Sequence, residues 1–149
     1  MGREDVDIVR EAFPVVTGGG TVDMGTFFED DDTRLRVERG VAPDAEIEFE
    51  TPDGGFVGDM AGPWRGAAGL RAGWEEWVAP WASFTFQGTE VIDAGGGRVL
   101  LLGDAVGRMD SGVELETHGA ALYTVRNGRI VKISHYLDQE QARRAAGLA

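Results

Sequence analysis

The sequence predicts an α+β fold in which helices come first and a curved, mostly antiparallel sheet follows. Apolar residues recur with helical spacing over Glu4–Val16 and Ala67–Trp81. Four runs with the composition of strands follow from Phe84 onward, and an Asn127-Gly128 pair, the strongest short-range sign of a hairpin, joins the last two. Helices followed by a run of strands are typical of α+β domains, with the helices on one face of the sheet.

The first half of the chain contains the N-terminal helices and one strand. Three consecutive glycines end the first helix, and we expect a second, short helix over Val22–Phe28. The run Asp30-Asp31-Asp32 can cap a helical turn at Thr33–Arg39. Ala45–Thr51 alternates apolar with acidic residues and therefore predicts a strand with one solvated face.

The second half begins with a Gly-rich loop, Gly54–Gly62, whose length is typical of lids or binding loops. The helix predicted over Ala67–Trp81 carries one apolar stripe, and Pro80 ends its regular part. Asp138 is suited to cap a final helix over Gln139–Ala146. The strands predicted between these two helices are Phe84–Asp93, Arg98–Arg108, Val113–Arg126 and Arg129–Leu137.

Length and composition indicate a single domain, residues 1–149, and exclude several kinds of site. The chain contains no Cys, which excludes a disulfide scaffold, a thiol nucleophile and a Cys-ligated metal. No HxH or HExxH spacing is present, and we expect neither a metal nor a cofactor. The net charge of −12 repels phosphate backbones and argues against a nucleic-acid partner. Without a membrane-spanning apolar run or a signal-type start, a cytoplasmic protein is expected.

The predicted hairpin brings both histidines of the chain to one face of the sheet. If Asn127-Gly128 forms a two-residue turn, Ala120 pairs with His135, and His118 lies on the same apolar face. A one-residue slip would separate the two histidines. The pKa of histidine is near neutrality, so the pair could act as acid and base, with Asp104 of the neighbouring strand as a further carboxylate.

Aromatic residues indicate where a ligand could bind. The tryptophans of the second long helix are most simply core, yet in a small domain several of them would also line a pocket for a flat apolar ligand. Glu90 alternates with Phe84 and Phe86 and would be a buried carboxylate if those rings point inward. The candidate ligand-binding residues are Trp64, Trp74, Trp77, Trp81, Phe13, Leu122, Ile133 and Glu90.

Several stretches resemble the nuclear-transport-factor-2-like superfamily, in its SnoaL-like polyketide cyclase branch. They are Trp64-Arg65-Gly66, Glu90-Val91-Ile92-Asp93, Ser111-Gly112-Val113-Glu114, Val125–Ile130 and Tyr136-Leu137-Asp138, which together cover nearly the whole chain. The resemblance implies a cone-shaped domain whose curved sheet and N-terminal helices enclose an apolar pocket. It also implies a homodimer formed through the outer face of the sheet. The superfamily includes isomerases, cyclases, dehydratases, epoxide hydrolases and non-catalytic binding proteins, so the fold does not fix the reaction.

The resemblance also allows known catalytic patterns to be compared with this chain. Thr51, Ala121 and Phe13 stand where ketosteroid isomerases place a general base, an oxyanion-binding Asp and a Tyr, so that pattern is absent. In the pattern of limonene-epoxide hydrolases, His135 occupies a carboxylate position that faces the pocket. SnoaL-type cyclases use a His/Asp acid–base pair in this region.

Two hypotheses follow. The first is proton-transfer chemistry (isomerisation, cyclisation or dehydration) on a small hydrophobic carbonyl compound, with His135, His118 and Asp104 as catalytic residues. The second is a non-catalytic ligand-binding or structural homodimer of the same fold. Titratable groups within reach of one ligand position would distinguish the enzyme from the binding protein.

Overall fold

The computed structural model describes residues 2–50, 56–57 and 65–148, which form the predicted α+β fold. Trp64 and most of the Gly54–Gly62 loop lie outside these residues. The elements are α1 (Gly2–Ala12), α2 (Pro14–Thr17), β1 (Thr21–Asp23), a 3₁₀ turn (Phe27–Glu29), α3 (Asp31–Gly40), β2 (Val41–Glu50), β3 (Phe56–Val57), α4 (Gly66–Val78), β4 (Ser83–Gly95), β5 (Arg98–Arg108), β6 (Glu114–Arg126), β7 (Arg129–Tyr136) and α5 (Gln139–Ala145). Within the described ranges, none of the helices combines the length and the apolarity needed to cross a membrane.

One sheet runs through the described residues in the strand order β1-β4-β5-β6-β7-β2-β3. Its neighbouring strands pair antiparallel except for β2 and β7, which are parallel. The register shifts in β4 between Gly88 and Glu90, and in the β6–β7 pair between Thr124 and Val125. Such bulges bend a strand and increase its twist, which curls the sheet around the helices.

The inner face of the sheet, which α1 to α4 cover, carries the main hydrophobic core. Leu101 and Tyr123 of the central strands belong to one buried cluster with Val9 of α1, Val37 of α3 and Leu70 of α4. The predicted alternation of β2 is confirmed, because Ile47 and Phe49 are buried in this cluster while Glu46 is exposed.

The outer face of the sheet has a second, smaller core beneath α5. Ala142 and Ala146 pack there against buried residues of β5, β6 and β7. Leu122 is one of these residues, so the prediction that it lines the inner pocket is wrong. The predicted cap of α5 is confirmed, since the Asp138 carboxylate accepts a hydrogen bond from the Glu140 N–H at 2.9 Å.

Two predictions of local structure need correction. Val22–Phe28 is not a helix, because Thr21–Asp23 pairs with β4 as a short strand and only Phe27–Glu29 forms a 3₁₀ turn. The β-branched residues Thr21 and Val22 favour the extended backbone once the edge of β4 is available for pairing. The helix predicted over Ala67–Trp81 ends at Val78, close to the regular end that Pro80 predicts, so the correction concerns Trp81 alone, which lies in the connection to β4.

Candidate functional site

A β-bulge separates the two histidines that the hairpin was expected to bring together. Arg126 pairs with Arg129 as the Asn-Gly turn predicts, but β7 then contains one extra residue, Val131, and His135 pairs with Ala121 rather than Ala120. This is a one-residue shift, which exchanges the faces of the sheet. His135 therefore lies on the inner face, and the predicted shared face with His118 is wrong.

His118 forms an exposed pair with Asp104 on the outer face. The two residues are cross-strand partners, and His118 Nδ1 lies 2.6 Å from Asp104 Oδ1. Their side chains are 82% and 50% exposed, so solvent surrounds the pair. No group of three or more metal-ligating side chains is found in the part of the chain that the structure describes. The predicted partnership of His118 and Asp104 with His135 thus has no support in this geometry.

The inner face holds an apolar cavity between the sheet, the N-terminal helices and α4. The cavity volume is about 50 Å³, and the whole depression, counted with the space open to solvent, is about 550 Å³. No aspartate, glutamate, lysine or arginine is among the described residues that line it. These residues are Phe13, Val16, Met24, Trp74, Phe84, Phe86, Leu101, Ala105, Thr117, Gly119, Ala120, Ala121, Tyr123, His135, Tyr136 and Leu137.

His135 is a buried titratable group of the cavity lining. Its ring stacks on that of Phe49, with centroids 4.2 Å apart and an interplanar angle of 7°, and the Trp74 ring lies 6.0 Å away. Burial lowers the pKa of His135 to about 4, although a hydrogen bond to the Glu48 carbonyl opposes the shift. His135 is therefore a neutral imidazole at physiological pH.

The hydrogen bond of His135 fixes which of its nitrogens carries the proton. Nδ1 lies 3.1 Å from the Glu48 carbonyl oxygen, and because a carbonyl can only accept, Nδ1–H is the donor. Nε2 then keeps its lone pair. Glu48 is itself held from the outer face, where its carboxylate accepts a 2.7 Å hydrogen bond from Ser134 and lies 3.8 Å from the Lys132 ammonium. These two contacts hold β2 against β7, and the Glu48 carbonyl of β2 orients the imidazole.

Two further lining residues, Trp74 and Tyr123, carry hydrogen-bond donors. The Trp74 indole N–H is buried and finds no hydrogen-bond partner within the described chain. Burial raises the pKa of the Tyr123 phenol, which keeps its O–H proton at any physiological pH. Tyr123 is the diagonal neighbour of His135 on the inner face, and its ring lies 5.4 Å from that of Phe13. His135, Tyr123 and Trp74 are thus lining residues with polar side-chain groups in largely apolar surroundings.

The remaining predicted ligand-binding residues occupy varied places. Phe13 and Trp74 line the cavity, whereas Ile133 is buried in the main core and is not among the lining residues. Trp81 packs on Phe84 with ring centroids 5.7 Å apart and is not among the described lining residues. Trp77 lies on α4, and its side chain is outside the described part.

Glu90 does not provide the inward carboxylate that its alternation with Phe84 and Phe86 suggested. The bulge after Gly88 reverses its face, so Glu90 pairs with Leu102 of the outer core and is exposed. Tyr123 is a lining residue that the sequence does not predict, because the unshifted register places it on the opposite face of the sheet. The sequence does contain a signal for this residue. Residues 119–123 of β6 are small or apolar on both faces, which indicates that both faces of this stretch are buried.

Comparison with known proteins agrees with this architecture. The family model of the SnoaL-like domain matches residues 9–133. The chain belongs to the SnoaL-like domain family. No curated protein matches the sequence significantly.

Solved structures resemble this SnoaL-like protein along nearly its whole length. An NTF2-like protein from Burkholderia xenovorans is 24% identical with a TM-score of 0.59, and 97% of this chain and 96% of that chain are covered. One from Burkholderia thailandensis is 19% identical with a TM-score of 0.62 and 95% coverage of both chains. TerC, co-crystallised with polyporic acid, is 15% identical with a TM-score of 0.62 and coverage of 97% and 98%. At these identities the likeness establishes the fold alone.

Proposed function

We propose that this SnoaL-like protein binds a small, uncharged carbonyl compound and catalyses proton transfer on it, as an isomerase, cyclase or dehydratase. The observation that carries the proposal is that His135, a neutral residue of the cavity lining, has its Nδ1–H engaged with the Glu48 carbonyl, which leaves the lone pair on Nε2. In this proposal Nε2 removes a proton from carbon. The Trp74 N–H and the Tyr123 O–H stabilise the oxygen on which negative charge develops.

The lining of the cavity supports an uncharged ligand. With His135 neutral, none of the described lining residues carries a charge at physiological pH. An ionised carboxylate or phosphate would lose its hydration there without a compensating charge. The apolar aromatic walls instead favour a flat hydrophobic skeleton, and the donors and the acceptor suit a carbonyl group beside an acidic C–H bond.

The low pKa of His135 restricts the acidity of the substrate. A base whose conjugate acid has a pKa of about 4 removes protons slowly from a simple ketone. It suits carbon acids flanked by two carbonyl groups, especially where hydrogen bonds stabilise the enolate. Ketosteroid isomerases also combine a general base of low pKa with hydrogen-bond donors to the oxyanion, although their pattern of catalytic residues is absent from this chain. A β-dicarbonyl compound is therefore the substrate class we propose.

The proposal can be tested with acetylacetone, a small neutral β-dicarbonyl compound. The wild-type protein should accelerate its keto–enol interconversion, followed by ultraviolet absorbance. His135→Asn keeps an N–H near the Glu48 carbonyl but lacks the base, and should lower kcat/KM by roughly 10²- to 10⁴-fold. Tyr123→Phe should lower it by about 10²-fold.

His118→Asn is the matched control, because it makes the same chemical change to the exposed histidine of the outer face. Its rate should equal the wild-type rate. Equal losses in His118→Asn and His135→Asn, or an unchanged rate in His135→Asn, would contradict the proposed role of His135.

The alternative is a ligand-binding protein without catalysis, and the fixed packing of His135 favours it. Stacking on Phe49 and the bond to the Glu48 carbonyl are also what a purely structural buried histidine would make. Such a protein would bind the same neutral compounds without accelerating proton transfer. Saturable binding of acetylacetone with no change in its interconversion rate would select this alternative.

A further inference from the structure

The mouth of the cavity is marked by three lining residues that are only partly buried. These are Phe86, Thr117 and Leu137, whereas the other described lining residues are buried. The Thr117 hydroxyl donates a 2.8 Å hydrogen bond to the Leu137 carbonyl, which ties β6 to the segment after β7. This hydrogen bond fixes the Thr117 side chain and the Leu137 backbone, while packing alone holds the Phe86 side chain.

The Phe86 ring lies over glycine positions of the neighbouring strands and also packs against the main core. Three adjacent strands carry glycines in register, Gly88 in β4, Gly103 in β5 and Gly119 in β6. A Cβ atom at Gly103 would overlap Phe86 Cζ, and one at Gly119 would lie 3.8 Å from Phe86 Cε1. The ring thus crosses β5 toward β6 in the space that a side chain at Gly103 would fill. Because Gly103 and Gly119 have no side chains, the Phe86 ring has space to lie across β5 at the mouth of the cavity.

The lining residues that belong to the main core resist displacement. Phe13, Trp74 and Leu101 are each at least 93% buried and belong to the main core, where close packing resists displacement. The cavity has a volume of only about 50 Å³. Phe86, partly exposed at the mouth, is therefore the wall whose removal adds the most room with the least disturbance of the core. Its replacement by alanine removes one six-membered ring, the space that one further fused ring of a ligand requires.

We propose that Phe86 is the size filter of this site, so that its ring excludes neutral ligands with more than one ring. The inference rests on the proposed function, since it takes the cavity to be the site of a neutral, flat ligand. It adds the residue that determines specificity, which lies at the mouth and not beside His135.

The test compares the dissociation constants of phenol and naphthol, two neutral probes that differ by one fused ring. They are measured by isothermal titration for the wild type, Phe86→Ala and Phe86→Leu. The ratio of the naphthol to the phenol dissociation constant should fall at least tenfold in Phe86→Ala and by a smaller factor in Phe86→Leu. The leucine variant keeps the test valid if the alanine variant folds poorly.

Ile92→Ala is the matched control, because Ile92 is a partly buried apolar residue of the same strand that packs on the outer core. Its ratio should equal that of the wild type. A wild-type ratio in both Phe86 variants would overturn the size filter, even where phenol binds and His135 proves catalytic. Phenol binding without any catalysis by the wild type would contradict the enzymatic proposal alone. Failure of both probes to bind any of the proteins would overturn both proposals.

Discussion

Acid should destabilise the folded protein through His135, because folding buries this imidazole in its neutral form. In the unfolded chain a histidine has a pKa of about 6.5, whereas burial lowers the pKa of His135 to about 4. Between these values the unfolded state binds more protons, so stability rises with pH and is lost as the pH falls toward 4. The shift corresponds to roughly 3 kcal/mol of unfolding free energy, fully present above about pH 6.5.

Urea denaturation between about pH 7 and pH 4 measures this effect, with His135→Asn as the reference. Asparagine does not titrate and can still donate to the Glu48 carbonyl, so it removes the proton linkage with little change in the hydrogen bonding. Carboxylate titrations affect both proteins equally. The stability advantage of the wild type over the variant should therefore shrink by about 3 kcal/mol across this range. A difference that stays constant with pH would refute the burial of a neutral His135.

Three further predictions concern the scaffold. Ser134→Ala removes the 2.7 Å hydrogen bond to the Glu48 carboxylate and should lower the unfolding free energy by roughly 1.5–3 kcal/mol, measured in urea; no loss would mean that water replaces the bond. Gly103→Ala places a Cβ against Phe86 and the Gln87 carbonyl and should cost about 1–3 kcal/mol, while a cost below about 0.5 kcal/mol would show that the sheet relaxes around it. Sedimentation equilibrium should give the mass of a dimer, and a mass equal to one chain of 16.0 kDa would contradict that expectation.

The elements that local patterns encode could be predicted from the sequence. The Asn127-Gly128 turn gives the hairpin because the turn residues fix their own backbone, with φ of 53° and 79°. Asp138 caps α5, and the alternation of Ile47 and Phe49 with glutamates gives β2, since each pattern depends on a few neighbouring residues.

Which residues lie on the inner and which on the outer face of the sheet could not be predicted from such local patterns. The extra residue at Val131 in β7 and the bulge after Gly88 in β4 depend on how the curled sheet closes over the helices, which no short stretch of sequence encodes. Each bulge exchanges inner and outer residues beyond it. Because of the shift in β7, His135 shares a face with Tyr123 and not with His118. Because of the bulge in β4, Glu90 faces away from the cavity.

The central claim is that His135 is a neutral imidazole with its proton on Nδ1 and its lone pair on Nε2. Two-dimensional ¹H–¹⁵N correlation spectra of the side-chain nitrogens measure this directly, with His118 as an internal reference on the outer face. At about pH 7, His135 should show a protonated Nδ1 and an unprotonated Nε2, and it should begin to titrate only as the pH approaches 4. A proton on Nε2, or a charged imidazolium at neutral pH, would contradict the account.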